Sequence, residues 1–276
     1  MQRLAGSRAP RSNASHETAT PWGWAAGGAC IGLLVATLAF APAQWLAQSI
    51  HRLTGERVQL LAPQGTVWRG SAQLVLGAGQ GSRVLTALPG RLQWQMNLGL
   101  EGLTLALNTD CCLPQPWRWT ASPTWGGLRL QLSDQAAAQP SRWPSALLAG
   151  LGTPWNTLQL QGSLALSSRQ LEFQWQPSGW HLAGHAQLDA QQMSSSLSTL
   201  KPMGSYRLAL EGGQEPTLQL TTLEGSLQLS GAGRWGQGGL RFEGEASVAP
   251  ERAEALANLL NIIGRRDGAR SIIKVG

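Results

Sequence analysis

Between residues 68 and 248 the chain repeats one pattern: an apolar side chain at every second position, with Gln, Ser, Thr or Arg between. Trp68, Gly70, Ala72, Leu74 and Leu76 share one parity, as do Leu92, Trp94, Met96, Leu98 and Leu100. The pattern returns in Leu103, Leu105 and Leu107, then in Leu128, Leu130 and Leu132. It continues through Leu158, Leu160, Leu164 and Leu166; Leu171, Phe173 and Trp175; and Trp180, Leu182, Ala186 and Leu188. It closes with Leu208 and Leu210, Leu218 and Leu220, Leu227 and Leu229, and a run from Leu240 and Phe242 to Val248. Side chains on a strand point alternately to its two faces, so this period fits antiparallel sheet with one apolar and one solvated face. Gly162-Ser-Leu-Ala-Leu and Gly225-Ser-Leu-Gln-Leu echo one another at unequal spacing, which fits a β-meander rather than a strict solenoid.

Composition agrees. Charged residues are only 13% of the 276 residues, about half the usual share, while Gly (34) and Trp (13) are abundant. Long charged helices are disfavoured; short strands and tight turns are favoured. The net charge of +6 is spread over single arginines, with Arg265-Arg266 the one close run, so no basic patch of the kind nucleic acid needs is formed.

Ahead of the pattern, residues 22–41 form a charge-free apolar run, Trp22 to Ala41. About 20 helical residues at ~1.5 Å each span ~30 Å, the hydrocarbon thickness of a bilayer. Trp22 and Trp24 flank one end and Trp45 the other, as interfacial anchors do. Arg3, Arg8 and Arg11 against Glu17 place the N-terminus on the cytoplasmic side. Three segments are therefore expected: a cytoplasmic polar tail at 1–20, a transmembrane anchor at 21–41, and a β-rich domain outside the membrane at 42–276, periplasmic in a Gram-negative cell. A cleaved signal peptide is the rival reading, with Ala39-Phe40-Ala41 as the site, but Pro42 makes a poor scissile bond and the leader is long. The expected fold is mainly β: one N-terminal transmembrane helix, then a large antiparallel sheet with one apolar face and a few short helices.

Those short helices are expected at 43–53 (Trp45, Leu46, Ser49, Ile50 and Leu53 on one side), at Ser145–Leu151, and at 251–263 between Pro250 and Gly264, where Leu256, Leu259, Leu260 and Ile263 form a stripe. A last strand is expected at 271–275.

Chemistry-bearing constellations are few. Cys30 is expected as a small buried side chain. Cys111 and Cys112 are adjacent; alternation would point them to opposite faces, and two unpaired thiols or a pair between chains are the readings. His181 and His185 fall on the polar face of a strand without a third ligand near in sequence, so no metal site is expected. Gly231-Ala-Gly-Arg-Trp-Gly236 matches a dinucleotide pattern but lacks the helix that must follow, and reads as a hairpin turn. Ser198 to Lys201 lacks the companion motifs of a Ser-Lys nucleophile. No catalytic residue, metal or cofactor is expected. Trp117, Arg118 and Trp119, beside Pro114 and Pro116, are either core or an exposed binding edge and make the candidate partner surface.

Four stretches resemble the type II secretion system protein N (general secretion pathway protein N) family. They are residues 61–72, with Gly65-Thr66-Val67-Trp68-Arg69-Gly70 the most specific piece; 88–94, Leu-Pro-Gly-Arg-Leu-Gln-Trp; 158–166; and 259–276. The resemblance covers residues 30–276 in order. It implies an accessory inner-membrane, single-pass component of the machine that moves folded periplasmic proteins across the outer membrane, with no catalytic residue to transfer. Its implied partners are inner-membrane secretion components and the secretin. The alternative is a periplasmic β-groove protein that binds or transfers lipid on its Leu/Trp face. Trp68 is expected in phase with the buried face, and Gly70 where backbones approach closely.

Overall fold

The computed structural model describes residues 22–79, 85–100, 102–177, 179–236 and 238–276. The leader with Arg3, Arg8, Arg11 and Glu17 lies outside the described residues. The chain divides into two units, one ending at Phe40 and one running from Ala41 to Gly276.

The first unit holds α1, Trp22–Ala39, an 18-residue helix with no buried residue. It is long and apolar enough to cross a membrane. Cys30, expected to be buried, is exposed here, because a lone helix offers no neighbour to cover it.

The second unit begins with α2, Ala43–Leu53. Its buried residues are Ala43 and Ala47, with Leu46 and Ile50 beside them, while Trp45 and Leu53 face outward. The expected stripe was therefore rotated. The small alanines let the helix axis approach the sheet.

Sixteen described strands form one antiparallel sheet. They are β1 (Val58–Gly65), β2 (Arg69–Gly77), β3 (Leu85–Ala87), β4 (Leu92–Gly99), β5 (Gly102–Thr109), β6 (Trp117–Thr124), β7 (Gly127–Leu132), β8 (Ser141–Pro144), β9 (Gln161–Gln176), β10 (Gly179–Ser194), β11 (Gly204–Gly213), β12 (Thr217–Gly225), β13 (Leu227–Gly236), β14 (Gly239–Val248), β15 (Arg265–Asp267) and β16 (Arg270–Val275). The path runs β1-β2-β4-β5-β6-β7-β9-β10-β11-β12-β13-β14-β16-β15, with β3 beside β2 and β8 beside β9. This is the meander that the alternation predicts.

The two ends of the strands differ. Tight hairpins join β4 to β5, β6 to β7, β9 to β10 and β13 to β14 at one end. The longer connections lie at the opposite end, with a 3-10 turn at Ser145–Leu151, α3 (Trp155–Leu158) and α4 (Ala257–Ile263). The buried cores lie away from the tips of those tight hairpins. Leu164, Met193, Tyr206, Leu227, Ala246 and Val248 pack under Leu256, Leu259 and Leu260. Leu60, Ala72 and Trp94 pack under α2, and Leu88, Cys112 and Leu147 form a smaller cluster.

Register explains why β9 reads as two runs of opposite parity. Leu164 and Leu166 share a face, then Gln170 takes a positive φ (50°) and the pairing with β10 slips between Ala183 and His185. The slip moves Leu171, Phe173 and Trp175 onto the face that the even-numbered residues leave, as a β-bulge does.

Several local expectations change. The expected helix at 251–263 is a 3-10 turn, Pro250–Arg252, followed by α4. Leu256, between them, is fully buried with a non-helical φ of −114°. So short a segment is shaped by packing rather than by propensity. The segment Ser145–Leu151 is a 3-10 turn, not an α-helix. Leu158 belongs to α3, and its carbonyl accepts from the Ser195 hydroxyl at 2.6 Å. Gly231 and Gly233 lie within β13, where their missing side chains leave room for the Phe242 ring; only Gly236 meets the turn.

Cys111 and Cys112 form a disulfide with each other. The expectation of unpaired thiols or an interchain pair assumed strand geometry. The pair instead sits in the turn after β5, where the amides of Cys112 and Leu113 both reach back to the Thr109 carbonyl.

Candidate functional site: the turn motif and the polar face

The stretch Gly65, Thr66, Val67, Trp68, Arg69, Gly70 forms the connection between β1 and β2. Gly65 sits at φ 86°, a conformation an L side chain rarely adopts, and its added Cβ would come 2.5 Å from the Arg69 carbonyl oxygen. At Gly70 the added Cβ would meet Trp94 Cζ2 at 2.5 Å and the Gln64 carbonyl at 2.6 Å. The two glycines therefore bring the turn down onto an indole. Trp94 is 4% exposed, and its Nε1 donates to the carbonyls of Val67 (3.0 Å) and Thr66 (3.3 Å).

Trp68, expected in the core, is half-buried in the turn itself, and its carbonyl accepts from Met96 N–H at 2.6 Å. The chain reverses at this point, so parity carried back from β2 does not apply to it. The buried aromatic of the motif is Trp94. Its signal lay in the 88–94 stretch, which also contains Arg91. The Arg91 guanidinium donates to the carbonyls of Ala62 (2.8 Å) and Ser71 (3.0 Å). Ala62 lies where the β1–β2 register slips, so Arg91 satisfies an acceptor displaced from the ladder. A hollow of about 610 Å³ borders the motif, lined by Arg69, Arg91, Gln93, Gln95 and Asn108 among others.

The Trp117, Arg118, Trp119 trio does not form one surface. β6 lies inside the sheet, between β5 and β7, so of the two readings, core and exposed edge, the edge does not apply there. Both tryptophans are half-buried on the apolar face, and Trp117 packs against Trp143 with ring centroids 5.4 Å apart. Arg118 is exposed on the opposite, polar face, where it lines a hollow of about 450 Å³ with Thr120, Gln131 and Glu172.

That polar face is laced by cross-strand pairs. Arg207 on β11 grips Asp189 on β10 with two contacts of 2.8 Å. Glu172 on β9 accepts from Gln174 and Gln131 and pairs with Arg129 at 3.1 Å. The hydrogen bond from Gln174 is the main reason that its carboxyl stays below the usual carboxylate range, with Gln131 and Arg129 adding to the effect. Lys274–Glu243 and Arg270–Glu245 continue the pattern on the last strands. His181 and His185 are exposed here, and no group of three metal-ligating side chains occurs among the described residues.

Both sheet edges are blunted. β1 carries Pro63, a register slip and Ala62 at φ 46°. β15 is three exposed charged residues, Arg265–Asp267. Slips, proline and charge are the usual guards against strand addition.

A family model described as Type II secretion system (T2SS), protein N, matches residues 56–273. No curated protein and no solved structure matches the chain.

Proposed function

The chain belongs to the type II secretion system protein N family, and from that premise we propose that it is an inner-membrane accessory component whose sheet docks other secretion components in the periplasm. The observation that carries this reading is the extent of the match: residues 56–273 are almost the whole sheet, β1 to β16. α1 suits the single-pass anchor. An anchored protein gains effective concentration for partners in the same membrane.

With both edges blunted, the docking surface is the polar face. Its exposed Gln, Thr and Arg side chains offer hydrogen bonds without a desolvation penalty as large as that of buried charge. Arg118 and the hollow beside it, and the hollow bordered by Arg69 and Arg91, are the concave parts of that face. The family motif then acts from within: Gly65, Gly70 and Trp94 set the shape on which the arginines stand.

Photoreactive side chains at Thr120, Gln131, Gln228 and Glu245, all on the polar parity, test this in intact cells. Capture of inner-membrane secretion components or of the secretin is the expected result, together with reduced export of folded periplasmic proteins in a deletion strain. Normal secretion in that strain with raised outer-membrane permeability replaces this reading with the lipid-handling one.

A further inference from the structure

Among the described residues, one strip of the apolar face is left exposed. Leu98 is 76% exposed, Trp175 55% and Trp180 44%; Leu128 is exposed beside them, and Leu100 and Trp125 stand fully exposed at hairpin tips. Register makes much of this strip continuous, since Leu128 pairs with Trp175 and Trp175 with Trp180. Phe173 stacks on Trp180 at 6.1 Å, which holds that indole in place. The three tips (residues 99–102, 124–127 and 176–179) contain Gly, Leu, Trp, Pro, Gln, Ser and Thr, and Glu101 is their one formal charge. Hairpin backbones satisfy their own amides, and Trp and Leu beside polar groups are the composition favoured where apolar and aqueous layers meet.

The entry of the chain into the sheet says which layer this is. The Val67 amide donates to the Ala41 carbonyl at 2.8 Å, and Pro42 bridges Thr66. The β1–β2 turn opens towards the same strand ends as the other hairpins, and Trp68 in that turn binds Met96, two residues from Leu98. Only Phe40 separates Ala41 from the end of α1. By chain connectivity, a bilayer crossed by α1 ends one residue from the β1–β2 turn, which points towards the hairpin tips and is level with Met96, short of the β4 end at Gly99.

We propose that the hairpin strip formed by Leu98, Leu100, Trp125, Leu128, Trp175 and Trp180 rests in the interfacial layer of the bilayer that α1 crosses. The inference depends on α1 being an uncut anchor, as in the proposed function. The strip gives the sheet a second, peripheral hold on the membrane and turns the polar face sideways, towards neighbours in the same membrane.

The test uses the full chain reconstituted in phosphatidylethanolamine/phosphatidylglycerol vesicles, with a benzophenone side chain placed in turn at Leu100, Trp125, Val35 and Leu151. Leu151 is an exposed apolar residue at the opposite end of the sheet. Mass spectrometry after illumination is expected to find phospholipid adducts at Leu100, Trp125 and Val35 and none at Leu151. Adducts at Val35 without adducts at the two tips overturn the proposal and leave the anchor standing. Absence of lipid adducts at Val35 as well overturns the anchor, and the proposal with it. Tips that capture a second copy of the chain, or a Leu151 adduct as strong as theirs, overturn the proposal too.

Discussion

The two ends of the sheet are built from the same side chains and use them in opposite ways. Away from the hairpin tips, Leu164, Leu227 and Val248 lie beneath α4, and Trp94, near the start of β4, lies beneath α2 and the motif turn. At the hairpin end, Leu98, Trp175 and Trp180 occupy the same face of the same meander and are exposed among the described residues. Alternation sets which face is apolar. Connection length sets where that face is covered, because only a connection long enough to fold back can bring a helix onto it. Apolar residues at a tight hairpin are thus left available to something outside the domain.

The sharpest way to break this comparison is to truncate the matched aromatics. Trp94→Ala should cost about 3–5 kcal/mol in urea unfolding of the full chain, since a buried indole and two hydrogen bonds are lost together. Trp125→Ala should change stability by less than about 0.5 kcal/mol. Similar costs at the two sites would mean that the hairpin end is as buried as the other. Leu260→Ala, under α4, should cost about 2–5 kcal/mol, against near-neutrality for Leu98→Ala. Gly70→Ala should cost about 1–3 kcal/mol by forcing a methyl group against Trp94, and the Gly70→Ala, Trp94→Phe double variant should show non-additivity if that contact is the cause.

Smaller effects sharpen the picture on the polar face. Asp189→Asn should cost about 1 kcal/mol, given that Arg207 is partly exposed and solvent screens the pair. Glu172 has a folded-state pKa below its unfolded value, so its contribution is present above that unfolded value near 4.5 and is lost as pH falls through the folded one. Glu172→Gln should lower stability near neutral pH by no more than about 1 kcal/mol, change it little at the acid limit, and so flatten the acid side of the stability–pH curve.

How much of this was legible in the sequence depends on the range of each interaction. The meander, α2 and the last strand follow from alternation and turn residues, which are local signals. The apolar anchor candidate follows from length and composition. What escaped was decided by partners distant in sequence. Trp68 has the right parity for the core, but the turn and Trp94, 26 positions later, displace it. The stripe on α2 was misjudged because Ala43 and Ala47 matter through closeness to β1 rather than through their own hydrophobicity. The trio at 117–119 left core and exposed edge both open, because only the pairing with β7 decides between them. The Cys111–Cys112 bond is not legible in alternation, because that pattern reads a strand through what is a turn. The bulge at Gln170 was visible as a change of parity within β9, although without the β10 register it reads as two strands.

The neighbour-only order of the meander has a kinetic consequence. Each strand pairs with the next one or, around β3, β8 and β15, with the next but one. Most pairings join strands adjacent in the chain, so loop closure costs little entropy at most steps. A chain delivered from its N-terminal end would find a finished edge waiting for every new strand. The sheet can lengthen hairpin by hairpin, without a late segment having to insert between strands already joined.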